Sequence, residues 1–185
     1  MIDDDEALTL LRVLGERWYG LKALPRRGWV LRGVAAPESV AAHAWGVATL
    51  ALLLCPPEVN RERAMAMALL HDLAEVVVGD VTPVDPMTPG EKHVAEWAAL
   101  QHLLAPLPQA QALAELWQDF EAGQSAEARW VRSLDKVDMA LQALRYAREA
   151  GLDAGEFLAS AAAGLQVAAL EPLLAALVGA GRGAG

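Results

Sequence analysis

The chain has 185 residues, enough for one domain with a substantial core and marginal for two. Apolar residues make up 55%, mostly alanine and leucine, which favours an all-α fold and leaves little material for strands. A formal net charge of −9 argues against a general nucleic-acid binder, whose footprint would be a basic face, but not against a small anion met by a few local arginines.

Cys55 is the single cysteine, so no intrachain disulfide is possible and nothing points to an oxidising compartment. The start, "MIDDDEALTL", lacks the basic-then-apolar order of a signal peptide. No apolar stretch approaches the roughly 18 to 20 residues needed to span a bilayer. The expectation is a soluble cytoplasmic protein without a membrane partner.

Six or seven helices are predicted in chain order. The first covers 5–20, with Leu8, Leu11, Leu14 and Trp18 at helical spacing. An irregular arm follows, "LPRRGWVLRGVAAPES", interrupted by Pro25, Gly28, Gly33 and Pro37. Residues 38–54 form an apolar helix stopped by Pro56 and Pro57. Residues 61–78 form another, ending at Gly79 as helix C-termini often do. "TPVDPMTPG" reads as a rigid loop. Thr88, Pro89 and Glu91 then open the next helix with a capping box and a favoured first-turn proline, and that helix runs to Leu104. Further helices are predicted over 109–121, 125–150 and 153–179, before a frayed "GAGRGAG" tail. No repeat or long linker divides the chain, so residues 1–185 are read as one domain.

Several polar groups fall within these apolar helices: His43, the adjacent His71 and Asp72, and Asp135. A buried charge costs several kcal/mol unless paired, hydrated or bound to an ion. Neighbouring helical positions differ by about 100°, so His71 and Asp72 can both turn toward one point. Two imidazoles and two carboxylates form a nitrogen/oxygen set suited to Mn, Fe, Co, Ni or Zn rather than calcium. Glu75, four residues after His71, falls on the same helical face. Asp80 lies just past Gly79, where a loop can fold it over the pocket.

The order His43, His71-Asp72, Asp135 resembles the H…HD…D signature of the HD-domain metal-dependent phosphohydrolases. The segments "PRRGWVLRGVAAPESVAAH", "ALLHDLAEVVVGDVTP", "EKHVAEWA" and "LWQDFEAGQSAEARWVRSLDKVDMALQA" extend the resemblance to the 5′-deoxynucleotidases of that group, over about residues 8–160. Residues 161–185 are left as a C-terminal helix and tail. The resemblance implies an all-α HD-domain bundle holding one divalent ion, with Mg added to the metals above. It implies hydrolysis of deoxyribonucleoside 5′-monophosphates by a metal-associated water. His43, His71, Asp72 and Asp135 match the metal ligands, and Glu75 and Asp80 the acidic pair. Glu75 is assigned to the attacking water and Asp80 to the leaving oxygen, the reverse also being open. Arg26 matches a phosphate-contacting arginine, Trp29 the aromatic that crowds the sugar 2′ position, and Glu121 a position near the site.

The chain departs from that pattern at Trp45 and Gly46, where the family often has tyrosine and arginine, and in its alanine-rich C-terminal helix. The apolar face of that helix suggests a homodimer seam, as does the family. His93 and His102 are nine residues apart and point to opposite faces of one helix, which disfavours a second metal and a di-iron oxygenase. Asp138 reads as a supporting or surface residue. Arg27 and Arg32 either add positive potential or solvate the arm. The tryptophans other than Trp29 are expected in the core or at an interface. Two alternatives stay open: hydrolysis of another nucleotide such as guanosine tetraphosphate, and a non-catalytic nucleotide-binding helical module. The spacing of Glu75 from the HD pair disfavours the first.

Overall fold

A computed structural model describes residues 3–182. It contains α1 (Asp4–Glu16), α2 (Arg27–Leu31), α3 (Val40–Leu54), α4 (Arg61–Leu70), α5 (Glu75–Val78), α6 (Pro89–Leu104), α7 (Ala110–Ala122), α8 (Ala126–Ala150), α9 (Gly155–Gly164) and α10 (Glu171–Arg182). Single 3-10 turns cover Trp18–Lys22 and Ala168–Leu170. Among the described residues there is no strand, only an isolated antiparallel bridge between Pro25 and Ser39. The fold is all-α.

There are more helices than the six or seven expected, for local reasons. The arm folds one short turn, α2. The segment read as one helix over 61–78 is two, because hydrogen bonds across 70–76 run to the third residue back: Leu73 to Leu70 (3.0 Å), Glu75 to Asp72 (3.0 Å) and Val76 to Leu73 (3.2 Å). The predicted helix over 153–179 is also split. Val167 is extended, and the Gln166 amide donates to Ser133 Oγ at 3.0 Å instead of continuing a helix. Part of the predicted tail is helical, since α10 runs to Arg182; residues 183–185 lie outside the described residues.

Other boundaries follow their chemistry. Thr88 and Glu91 form the reciprocal capping box that opens α6, with Pro89 just inside the helix. Gly151 ends α8 in the left-handed conformation (φ 67°), so the Leu152 amide folds back to the Tyr146 carbonyl. Among the described residues no helix is long and apolar enough to cross a membrane.

The described chain divides into two compact units, each assembled from two separated segments. The first comprises 3–44 and 70–118, the second 45–69 and 119–182. In the first, α5 packs on α6 and on the 18–22 turn. Its buried residues include Val13, Trp29, Val40, Leu73, Leu100, Leu103, Leu104 and Trp117. In the second, α9 and α10 pack on α8, which buries Val131, Leu134, Val137 and Ala140. Trp130 is buried there as expected, but Trp45 is 69% exposed and is not a core residue. Next to it, Gly46 has space for no side chain: the Asp138 carboxylate occupies the place of its Cβ.

Thr88→Ala removes the acceptor that starts α6. It is expected to lower Tm by about 2–4 °C, corresponding to about 1 kcal/mol, in a thermal melt followed by circular dichroism.

Candidate active site

The entry to α3 is fixed from both sides. The Val40 amide donates to the Leu24 carbonyl (2.9 Å), and the Ala42 amide to Ser39 Oγ (3.1 Å). This places His43 one turn into the helix, fully buried. His71 and Asp72 come from the turn after α4. His71 Nε2 lies 3.1 Å and His43 Nε2 3.7 Å from Asp72 Oδ2, with the rings edge-to-face at 5.4 Å. The three donor atoms lie within 4.8 Å of one another.

The two Nε2 atoms are buried and make no hydrogen bond. Imidazole nitrogens aimed at one carboxylate oxygen without hydrogen-bond geometry are what a shared cation would satisfy, so the donor set fits a divalent metal. Burial pushes the Asp72 carboxyl up, but His71, Arg26 and His43 together outweigh it and hold the group well below the usual carboxylate range. Asp72 is therefore ionised at neutral pH, as a metal-binding carboxylate would be.

Because α4 stops at Leu70, His71 and Glu75 are not related by a regular α-turn, which corrects the same-face expectation. The arrangement carries Glu75 into α5 with 3% exposure. Its Oε1 lies 3.7 Å from Lys92 Nζ, while Oε2 has no hydrogen-bond partner. Burial first, then the negative charges of Asp72 and Asp80, raise its proton affinity well above the ordinary value; Arg26 and Lys92 only partly oppose this. Gly79 (φ 88°, ψ 160°) then reverses the chain in a conformation open essentially to glycine. Asp80 Oδ2 follows, accepting the Arg27 amide at 2.8 Å and lying 3.6 Å from Arg26 Nε. Arg26 also donates from Nη1 to Asp72 Oδ2 at 3.1 Å. Arg26 thus joins the Asp72 carboxylate to the Asp80 carboxylate beyond the turn.

The arm carrying Arg26 is strapped to the 80–88 loop. Arg27 Nε reaches both Asp85 oxygens at 2.8 Å, and Thr82 donates to Asp85 from its amide and hydroxyl. These bonds, Arg27's first, pull the Asp85 carboxyl down to about 2. Arg27 is therefore a structural partner of the loop, whereas Arg32 is exposed. Trp29 is 2% exposed, its indole N–H donating to Glu38 Oε1 at 2.9 Å.

The first unit thus holds Arg26, Trp29, His43, His71, Asp72, Glu75 and Asp80. The other two expected residues belong to the second unit. Glu121 is half-buried on α7, its carbonyl accepting from Arg132. Asp135 stands on α8, its carboxylate 2.9 Å from Lys136 Nζ. His93 and His102 are exposed and join no metal-capable group among the described residues. His93 instead stacks on Trp117 (5.6 Å), as does Trp97 (5.8 Å).

Sequence reasoning missed three supporting residues. Trp117 donates its buried indole N–H to the His71 carbonyl at 3.1 Å, bracing the turn where α4 has ended. Lys92 lies between Glu75 and Glu96, 3.3 Å from the latter. Glu96 is buried, and its spacing puts it on the stripe of Ala99, Leu100 and Leu103; a carboxylate on an apolar face was the available signal.

The HD domain family model matches residues 19–171, and the chain belongs to that family. Human 5′-deoxynucleotidase HDDC2 is 40% identical over 141 residues, covering 75% of this chain and 67% of the relative. The 5′-deoxynucleotidase hdd1 of Schizosaccharomyces pombe is 37% identical over 135 residues, covering 70% and 68%. Among solved structures, the PH0347 protein of Pyrococcus horikoshii superposes with a TM-score of 0.76 at 31% identity, over 95% of this chain and 98% of that one. A protein described as a predicted metal-dependent phosphohydrolase from Magnetospirillum magnetotacticum gives 0.72 at 27% identity, over 100% and 98%.

The raised proton affinity of Glu75 has a measurable sign. Its stabilising contribution is complete below the unfolded value of 4.5 and is lost as pH rises toward the folded value. In metal-free protein, Glu75→Gln is expected to have the higher Tm, by a margin that widens from about pH 5 to pH 8. A margin that is constant or shrinks over that range contradicts the assignment.

Proposed function

We propose that this protein is a metal-dependent 5′-deoxynucleotidase, converting a deoxyribonucleoside 5′-monophosphate and water to a deoxynucleoside and phosphate. The observation that carries this is the buried convergence of His43, His71 and Asp72, with Arg26 on the metal-ligand carboxylate and two further carboxylates beside it. The 5′-deoxynucleotidase names of the relatives support the reaction and the substrate class. One HD domain drawing on both units is part of the reading, since the family match spans segments of each.

His43, His71 and Asp72 hold the ion in this reading, and Asp135 joins them on its place in the sequence motif alone. A bound divalent ion supplies Lewis-acid polarisation of a phosphoryl oxygen and lowers the pKa of water. Arg26 neutralises the phosphate, where phosphoryl transfer needs charge compensation and positioning more than covalent help. As the oxygen of water attacks phosphorus, the bond to O5′ breaks and O5′ needs a proton. Glu75 is the better source, because the fold raises its proton affinity and Oε2 has no other hydrogen-bond partner. Asp80, already an acceptor toward Arg27, takes the proton of the water. This reverses the assignment made from sequence. Trp29 walls the sugar 2′ position, and Glu121 is retained near the substrate on the sequence pattern.

The test of activity is phosphate release from matched deoxy- and ribonucleoside 5′-monophosphates, using metal-stripped protein with Mn, Co, Mg or Zn restored. Release that needs metal, favours deoxy substrates, and is abolished in Asp72→Ala is expected. Asp135→Asn should weaken metal affinity, and Trp29→Ala should narrow the deoxy preference. No release with any metal would overturn the reading in favour of a nucleotide-binding module.

The acid–base assignment is separately testable. Glu75→Gln is expected to lose about 10²–10⁴-fold in kcat on deoxynucleotides. On 4-nitrophenyl phosphate, whose leaving group needs no proton, the loss should be much smaller. Equal losses on both substrates would return Glu75 to the attacking water.

A further inference from the structure

Three buried or half-buried titratable groups line up from the site into α6: Glu75, Lys92 and Glu96. The proposed chemistry uses only the first. A carboxyl group 3% exposed and near two other carboxylates needs a nearby cation once it has given up its proton. Arg26 is engaged by Asp72 and Asp80, at 3.1 and 3.6 Å. Arg26 also acts on Glu75, and from α6 Lys92 approaches it, its Nζ 3.7 Å from Oε1.

Lys92 is itself held in place. Glu96, one turn later on α6 and also buried, approaches Nζ to 3.3 Å. The capping box of Thr88 and Glu91 anchors the helix start just before it. A long flexible ammonium stem is thereby given one position, and α6 itself packs on α5, which carries Glu75. Of the two Glu75 oxygens, Oε1 faces Lys92 and Oε2 makes no hydrogen bond.

We infer that Lys92, oriented by Glu96, is a positioning residue that fixes Glu75 through Oε1 and leaves Oε2 as the oxygen that exchanges a proton with the reacting groups. The inference rests on the proposed hydrolase reading and goes beyond it by assigning a role to α6. Holding one oxygen sets the rotation of the carboxylate. A misplacement of about 1 Å at such a group can cost about 100-fold in rate.

The test compares Lys92→Met, Lys92→Arg and Glu96→Gln with the unsubstituted protein at saturating metal. Lys92→Met is expected to lower kcat by about 10–100-fold while leaving KM for the deoxynucleotide and metal affinity nearly unchanged. Lys92→Arg, which keeps the cation, should recover most of the lost kcat, and Glu96→Gln should fall between the two. Unchanged kcat in Lys92→Met, a rise in KM alone, or an arginine variant no better than methionine overturns the inference while leaving the hydrolase reading intact.

A parent protein inactive with every metal overturns the hydrolase reading instead. Thermal melts of Lys92→Met, Glu75→Gln and the double variant, all metal-free, then decide the Lys92–Glu75 link independently of activity. Non-additive shifts, with Lys92→Met costing less Tm when Glu75 is already neutral, support it. Additive shifts overturn it.

Discussion

The site depends on where α4 stops. A regular helix from 61 to 78 would carry the polar groups of "HDLAEVVVGD" around a cylinder, some toward the reacting centre and some away. The shift after Leu70 to bonds reaching three residues back changes that geometry. It brings Asp72 beside His71 and Arg26, and feeds Glu75 into a separate turn. The break leaves backbone groups to be satisfied, and Trp117 supplies a donor to the His71 carbonyl. The His71 backbone is thereby held by an indole 46 residues away in sequence.

The second constraint is negative charge. Asp72, Glu75 and Asp80 fall within ten residues, and a protein of net charge −9 offers little general compensation. Local cations do the work. Arg26 spans Asp72 and Asp80, Lys92 approaches Glu75, and Arg27 ties the arm to the loop through Asp85. The result is unequal: Asp72 is held ionised, while Glu75 is pushed toward its protonated form. Two carboxyl groups three residues apart thus acquire opposite charge tendencies from their surroundings.

Neighbouring groups decide what the other polar and aromatic side chains do. Arg27 belongs to a structural strap because Asp85 presents both oxygens to its guanidinium. His93 stays outside the metal group because its ring stacks on Trp117. Trp45 is exposed although α3 is apolar nearly all round, so composition could not say which side of that helix is covered. Lys92 and Glu96 stand four residues apart on α6, 3.3 Å from each other. Only the packing of α6 on α5 brings Lys92 to Glu75.

By itself the sequence determined the helical class, through its alanine and leucine content. It also determined the capped start of α6, through Thr88, Pro89 and Glu91, and it singled out His43, His71 and Asp72, which lie together in the structure. Those are local or compositional properties, readable from propensity, spacing and residue chemistry. The tertiary structure decided the break after Leu70, the protonation preference of Glu75, and the supporting roles of Trp117, Lys92 and Glu96. Each of these depends on groups far apart in the chain and on burial, and the electrostatic and desolvation energies that follow exist only once those groups are packed together.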